Sequence, residues 1–131
     1  AAGYKLDLSS IIKKNHTIEC RINAENAKDF SPCPGTVNFI NIPGGRGVRV
    51  DTALYTNYKV NPHYDSLVLK IISKGKDRDE SISVMKRALD EIIVDGIDTN
   101  IDLHKWILKQ KEFKNGSYNT NWLEKNISKF N

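Results

Sequence analysis

Between Glu19 and Glu25 the chain reads ECRINAE, which places Arg21 two residues from Glu19 and from Asn23. Residues two apart on a strand point the same way, so a guanidinium here shares a face with the carboxylates of Glu19 and Glu25. Acids on the same face can hold an arginine in a fixed orientation through directional, paired hydrogen bonds, leaving further N–H groups to meet an anion. The plainer reading of the same spacing is a surface ladder of opposite charges worth little energy.

A second candidate is the loop Gly44-Gly45-Arg46-Gly47, whose glycines allow positive φ and let backbone approach a phosphate. It matches neither a P-loop nor a dinucleotide fingerprint, and a hairpin connection is the simpler expectation. His16, His63 and His104 are scattered, with no serine, cysteine or acid at a spacing that defines a nucleophile system. His63, beside Tyr64 and Asp65, is read as a loop-packing residue. Trp106 and Trp122 occupy apolar helical positions and read as core. Cys20 and Cys33 lack neighbours at metal-ligand spacing, so neither a zinc site nor a disulfide framework is expected.

The elements that must carry these residues follow from periodicity. From Thr17 to Glu25, Ile18, Cys20, Ile22 and Ala24 alternate with Glu19, Arg21, Asn23 and Glu25, as in a strand with one core face and one charged face. Residues 37–42 and 48–55 read as two further strands, and the glycine loop between them suggests an antiparallel pair. Residues 66–73 are apolar on both faces, as in a strand covered on each side and ended by Gly75. Asp77 and Glu80 have capping-box spacing, and Ile82, Met85, Leu89 and Ile92 continue at helical intervals toward a stop at Gly96. Thr99 with Asp102 suggests a second capped helix running toward Gln110, and a short third helix is expected after Asn121. The order predicts an α+β fold: an antiparallel sheet followed by packed helices.

Composition sets the wider limits. The 131 residues, 39% hydrophobic and 27% charged, are those of a single globular domain without low-complexity segments or an internal repeat. No apolar run approaches the roughly 20 residues of a membrane-spanning helix. The net charge of +4 comes from lysines interleaved with acids along the chain, which reads as a solvated face. A basic nucleic-acid-binding module is the alternative, although no RNA-recognition aromatic motif or helix-turn-helix pattern accompanies it. A structural, dimer-forming domain is another. Ala1-Ala2-Gly3 leads directly into a polar segment and Met85 is the sole methionine, so the chain is expected to start partway through a longer protein.

Five segments in order, HTIECRINAE, FSPCPGTV, PGGRGVRVDT, YDSLVLKIIS and VDGIDTNIDL, make the chain resemble the C-terminal region of biotin carboxylases along almost its whole length. The resemblance implies part of an ATP-grasp enzyme that forms carboxyphosphate from ATP and bicarbonate, with magnesium, and carboxylates N1 of biotin on a separate carrier protein. It assigns Arg21 to the active site, as a donor to the ureido oxygen of biotin. It places Thr120 and Asn121 at the border of the adenine site, where a histidine often stands in the position of Asn121. It matches Arg46 and Arg49 to a dimer-contact region, in which an aromatic residue can replace Arg46.

The family's phosphate-covering loop, metal-binding carboxylates, bicarbonate-binding arginine and general base belong to sequence preceding this region. The isolated chain is therefore expected to lack ATPase and carboxylase activity, and to hold no metal. Because the chain ends soon after its last helix, the parent is read as a bacterial acetyl-CoA carboxylase component; the resemblance implies a homodimer partnered by a biotin carboxyl carrier protein, and the two cysteines suit a reducing, cytoplasmic setting.

Overall fold

The computed structural model describes residues 3, 8, 9, 11, 12 and 14–130, so the opening Ala1-Ala2 and the terminal Asn131 lie outside the described residues. Strand β1 (His16–Asn23) pairs antiparallel with β4 (Leu67–Gly75), which pairs on its other side with β3 (Val48–Thr52). The three-stranded order is β1-β4-β3, and a separate two-stranded sheet joins β2 (Phe39–Asn41) to β5 (Ile93–Asp95). The helices are α1 (Arg78–Glu91), α2 (Ile101–Ile107), α3 (Lys111–Asn115) and α4 (Trp122–Asn126), followed by a 3-10 turn at Ile127–Lys129.

The α+β expectation holds, and the alternation in β1 sorts as predicted: Cys20 and Ile22 are buried while Glu19 and Arg21 are exposed. The inner face of the large sheet also carries Leu69 and Ile71. Met85, Ala88 and Leu89 of α1 share the same core, recurring at the helical intervals that build one apolar stripe. Two hydroxyls are enclosed with this apolar layer, those of Ser73 and Ser81, whose oxygens lie 3.0 Å apart.

Helix α1 begins as its cap predicts. The Asp77 carboxylate accepts from the Glu80 amide at 2.9 Å, and the Glu80 carboxylate accepts from the Lys76 amide at 2.7 Å. The helix stops at Glu91, well short of Gly96. Ile92 turns extended, and the β-branched Ile93 and Val94 pair with β2 instead of adding another helical turn.

Strands β2 and β3 do not form the expected hairpin. Each pairs with a different strand, and the Gly44–Gly47 loop carries the chain from one sheet to the other. Gly47 makes that crossing possible: its φ is +78°, its carbonyl accepts from the Lys74 amide at 2.8 Å, and a Cβ there would stand 2.6 Å from the Lys74 carbonyl oxygen. Strand β4 is not enclosed on both faces either. Leu69, Ile71 and Ser73 are buried, whereas Val68, Lys70 and Ile72 on the outer face are half-buried.

The Thr99–Asp102 capping box is not made. Asn100 occupies the N-cap of α2, and its side chain bonds elsewhere. The short helix α3, closed by Gly116 in the left-handed region at φ +72°, had no periodic signal in five residues. The helix expected after Asn121 is present as α4. Trp106 and Trp122 are half-buried, not core: their rings stack at 5.8 Å between α2 and α4, and Phe130 meets Trp106 edge-on at 5.8 Å.

Candidate functional site

Arg21 projects from the outer face of the large sheet because it alternates with Cys20 and Ile22, which the core holds. Its nearest ion partner is Glu19, at 3.9 Å, and both side chains are about half exposed. That distance is beyond hydrogen-bond range, so the contact is weak and leaves the half-exposed guanidinium unsaturated. Glu25 does not form the second arm of a carboxylate pair. It accepts instead from the side-chain amide of Asn23 at 3.2 Å and from the Ser66 hydroxyl, which fastens the end of β1 to the start of β4.

The backbone of Arg21 is held more firmly than its side chain. β1 is an edge strand, and its free edge meets the first turn of α2. The Arg21 carbonyl accepts from Asn100 Nδ2 at 3.3 Å and lies 2.9 Å from His104 Nε2, which must carry its proton to donate there. The Asn23 amide donates to Asn100 Oδ1 at 2.9 Å, and the Asn23 carbonyl accepts from the Asn100 amide at 3.3 Å. Asn100 thus stands in for a neighbouring strand at two peptide groups. Burial pushes the His104 imidazole below its ordinary value of 6.5, opposed by its hydrogen bond to the Arg21 carbonyl.

Register brings Arg49 onto the same outer face. Glu19 and Arg49 both stand opposite Ile72, and Arg21 and Asp51 both stand opposite Lys70. Two strand spacings, roughly 10 Å, separate the β1 and β3 members of each row. Arg49 is bound in bidentate fashion by Asp51, with both contacts at 2.9 Å, and this hydrogen-bonded pairing raises its pKa further. Arg46 is exposed on the loop before β3 and borders a cleft with Lys74, Lys76 and Glu80.

Thr120 and Asn121 lie apart from these residues, exposed at the start of α4. The Asn121 amide donates to Asn119 Oδ1 at 3.1 Å, and neither residue shares a hydrogen bond or ion pair with Arg21 among the described residues.

Nothing near Asn100 or His104 in the chain announces a partner some 80 residues earlier, so Asn100 drew no notice and His104 read as one of three scattered histidines. Sequence reading also overlooked Arg78. That guanidinium lies over the Phe113 ring at 4.9 Å, bonds the carbonyls of Phe113 and Lys114, and faces His16 Nε2 at 3.1 Å. Arg78, His16, Glu19, Cys20, His104 and Tyr118 contribute to a cleft of about 380 Å³ along the free edge of β1. Among the described residues, no three His, Cys, Asp or Glu side chains are grouped to hold a metal ion, and no helix is long and apolar enough to cross a membrane.

Residues 19–125 match the family described as the biotin carboxylase C-terminal domain, and the chain belongs to that family. It is 50% identical over 129 residues to the biotin carboxylase of Pseudomonas aeruginosa, which aligns 97% of this chain with 29% of that protein. It is 47% identical over 112 residues to a pyruvate carboxylase subunit from Methanothermobacter thermautotrophicus, covering 85% of this chain and 23% of that protein. Among solved structures, it matches the biotin carboxylase domain dimer of Hydrogenobacter thermophilus 2-oxoglutarate carboxylase, crystallised with MgADP, ADP and bicarbonate. That match has a TM-score of 0.89 and 37% identity, and covers 99% of this chain and 29% of that one. The chain therefore spans under a third of the length of these relatives.

Proposed function

We propose that this chain forms the C-terminal domain of a biotin carboxylase, which uses ATP and bicarbonate to carboxylate biotin on a carrier protein. The observation that carries the reading is Arg21: an exposed guanidinium on a clamped strand, loosely partnered at 3.9 Å, inside the stretch that matches the family. When N1 of biotin loses its proton, charge moves onto the ureido oxygen. A donor already in place stabilises that charge more than it stabilises the neutral ground state. Arg21 fits this task because a guanidinium keeps its proton and presents several N–H groups in a fixed plane.

The triphosphate and magnesium are assigned to the part of the enzyme that lies outside this chain's match to its relatives. Thr120 and Asn121 are proposed at the rim of the adenine site. Arg46 and Arg49, on the outer face and its adjoining loop, are proposed as dimer contacts, a reading supported by the dimeric Hydrogenobacter relative. Acetyl-CoA carboxylase, in fatty acid biosynthesis in the cytoplasm, is the proposed setting. The likeness to pyruvate and 2-oxoglutarate carboxylases makes biotin carboxylation the more general assignment.

The test is Arg21→Ala in the complete enzyme. Biotin carboxylation is expected to slow by roughly 10²- to 10³-fold with the KM for ATP little changed, the size seen when a donor to a developing oxyanion is removed. A wild-type rate, or inactivity explained by unfolding alone, would overturn the assignment. The purified 131-residue chain is expected to show no biotin-dependent ATP hydrolysis.

A further inference from the structure

We infer that Asn100 and His104 are positioning residues for Arg21, setting the height and tilt of its peptide, and hence of its guanidinium, on the free edge of β1. The inference rests on the proposed role of Arg21. Pairing with β4 cannot do this alone, because the register slips just beyond Arg21: Ile22 stands opposite Leu69, but Asn23 opposite Leu67. A bulge at this point loosens the ladder and leaves the direction of nearby side chains open to another constraint.

Asn100 supplies that constraint. An asparagine at the N-cap ordinarily accepts from an amide in its own first turn, and the Asn100 side chain makes no such bond. Its amide group is turned to β1, where Oδ1 takes the Asn23 N–H and Nδ2 reaches the Arg21 carbonyl, while its backbone N–H takes the Asn23 carbonyl. His104, one helical turn later, adds the 2.9 Å contact to the Arg21 carbonyl. The helix bearing both residues is anchored by the buried Leu103 and by an ion pair from Lys105 to Asp90 of α1 at 3.3 Å. The clamp is therefore built on the core, and a small shift of a charge-stabilising group is enough to lose much of its effect.

Two measurements test this separately from the role of Arg21. In the 131-residue chain, hydrogen exchange of the Asn23 amide should accelerate about tenfold or more in Asn100→Ala, while amides between β1 and β4 keep their protection. Unchanged protection of Asn23 would overturn the clamp. In the complete enzyme, Asn100→Ala and His104→Leu should each lower kcat for biotin carboxylation about tenfold with the KM for ATP unchanged. His104→Gln, which keeps a donor, should stay within about threefold of wild type.

The decisive arm repeats His104→Leu in an Arg21→Ala background. No further loss is expected there, because the clamp acts through the missing guanidinium. A loss of the same factor in both backgrounds would show a merely structural role and sink the inference. A wild-type rate for Arg21→Ala would remove the catalytic assignment and, with it, the positioning role. Asn23 exchange would still report whether the clamp itself exists.

Discussion

The imidazole Nε2 of His104 lies 2.9 Å from the carbonyl oxygen of Arg21, joining residues 83 positions apart in the chain. With Nε2 protonated, Nδ1 is the atom that titrates, and burial disfavours its charged form, so the folded-state pKa falls below the ordinary 6.5. The unfolded chain then binds more protons than the folded one at mildly acid pH, and stability must fall as pH drops through about 6.5. The decline should level off once pH passes below the folded pKa. Urea unfolding of the chain across this range should show it, and His104→Gln should flatten that part of the profile.

Cys20 should be chemically silent in the folded chain. Burial, with a smaller contribution from the Glu19 carboxylate, pushes its thiol up to about 12, so almost no thiolate exists near neutrality. Cys33 is only partly covered. Titration with a chromogenic disulfide at pH 8 should detect Cys33 alone in the native chain, with Cys20 appearing after denaturation. Equal rates for both thiols in the folded protein would contradict the burial of β1's inner face.

The hydroxyls of Ser73 and Ser81 bridge β4 to α1 inside the apolar core, 3.0 Å apart. Ser81→Ala should lower stability by about 1–3 kcal/mol, because it leaves the Ser73 hydroxyl buried without that partner. Replacing both serines by alanine removes donor and acceptor together and should cost less than the sum of the single changes. A chemical-denaturation cycle on the four proteins measures the coupling.

Gly47→Ala should destabilise the chain by more than about 1 kcal/mol, since the residue combines φ +78° with backbone packed against Lys74. Gly44→Ala makes a useful control: φ there is not in the left-handed region, and a Cβ would meet nothing within 4 Å. Thermal unfolding of the two variants should separate them clearly, with Gly44→Ala close to wild type.

The local elements were legible because their signals are local. Alternation between Ile18 and Glu25 forces one face of β1 inward, and the Asp77 and Glu80 carboxylates start α1 from within four residues of each other. Recognition of Arg21 as a candidate rested on the same short-range order. The residues that complete its surroundings carry no such mark. Asn100 draws no notice beside the Thr99–Asp102 spacing, and His104 reads as an isolated histidine, until folding brings α2 against the free edge of β1.

Pairing was equally hidden. A glycine-rich loop between two strand-like segments favours a hairpin when only neighbours are compared. Val48 and Val50 gain more by joining the long β4 over the core, and β2 finds β5 more than fifty residues later. The sequence by itself determined the strand at β1, its charged face and the capped start of α1, because side-chain periodicity and capping act over a few residues; β5, the end of α1 and the short helix α3 carried no such signal. Strand register, the clamp on Arg21 and the common face it shares with Arg49 were decided by tertiary structure alone, since edge peptide groups take whatever partners the packed core brings within reach.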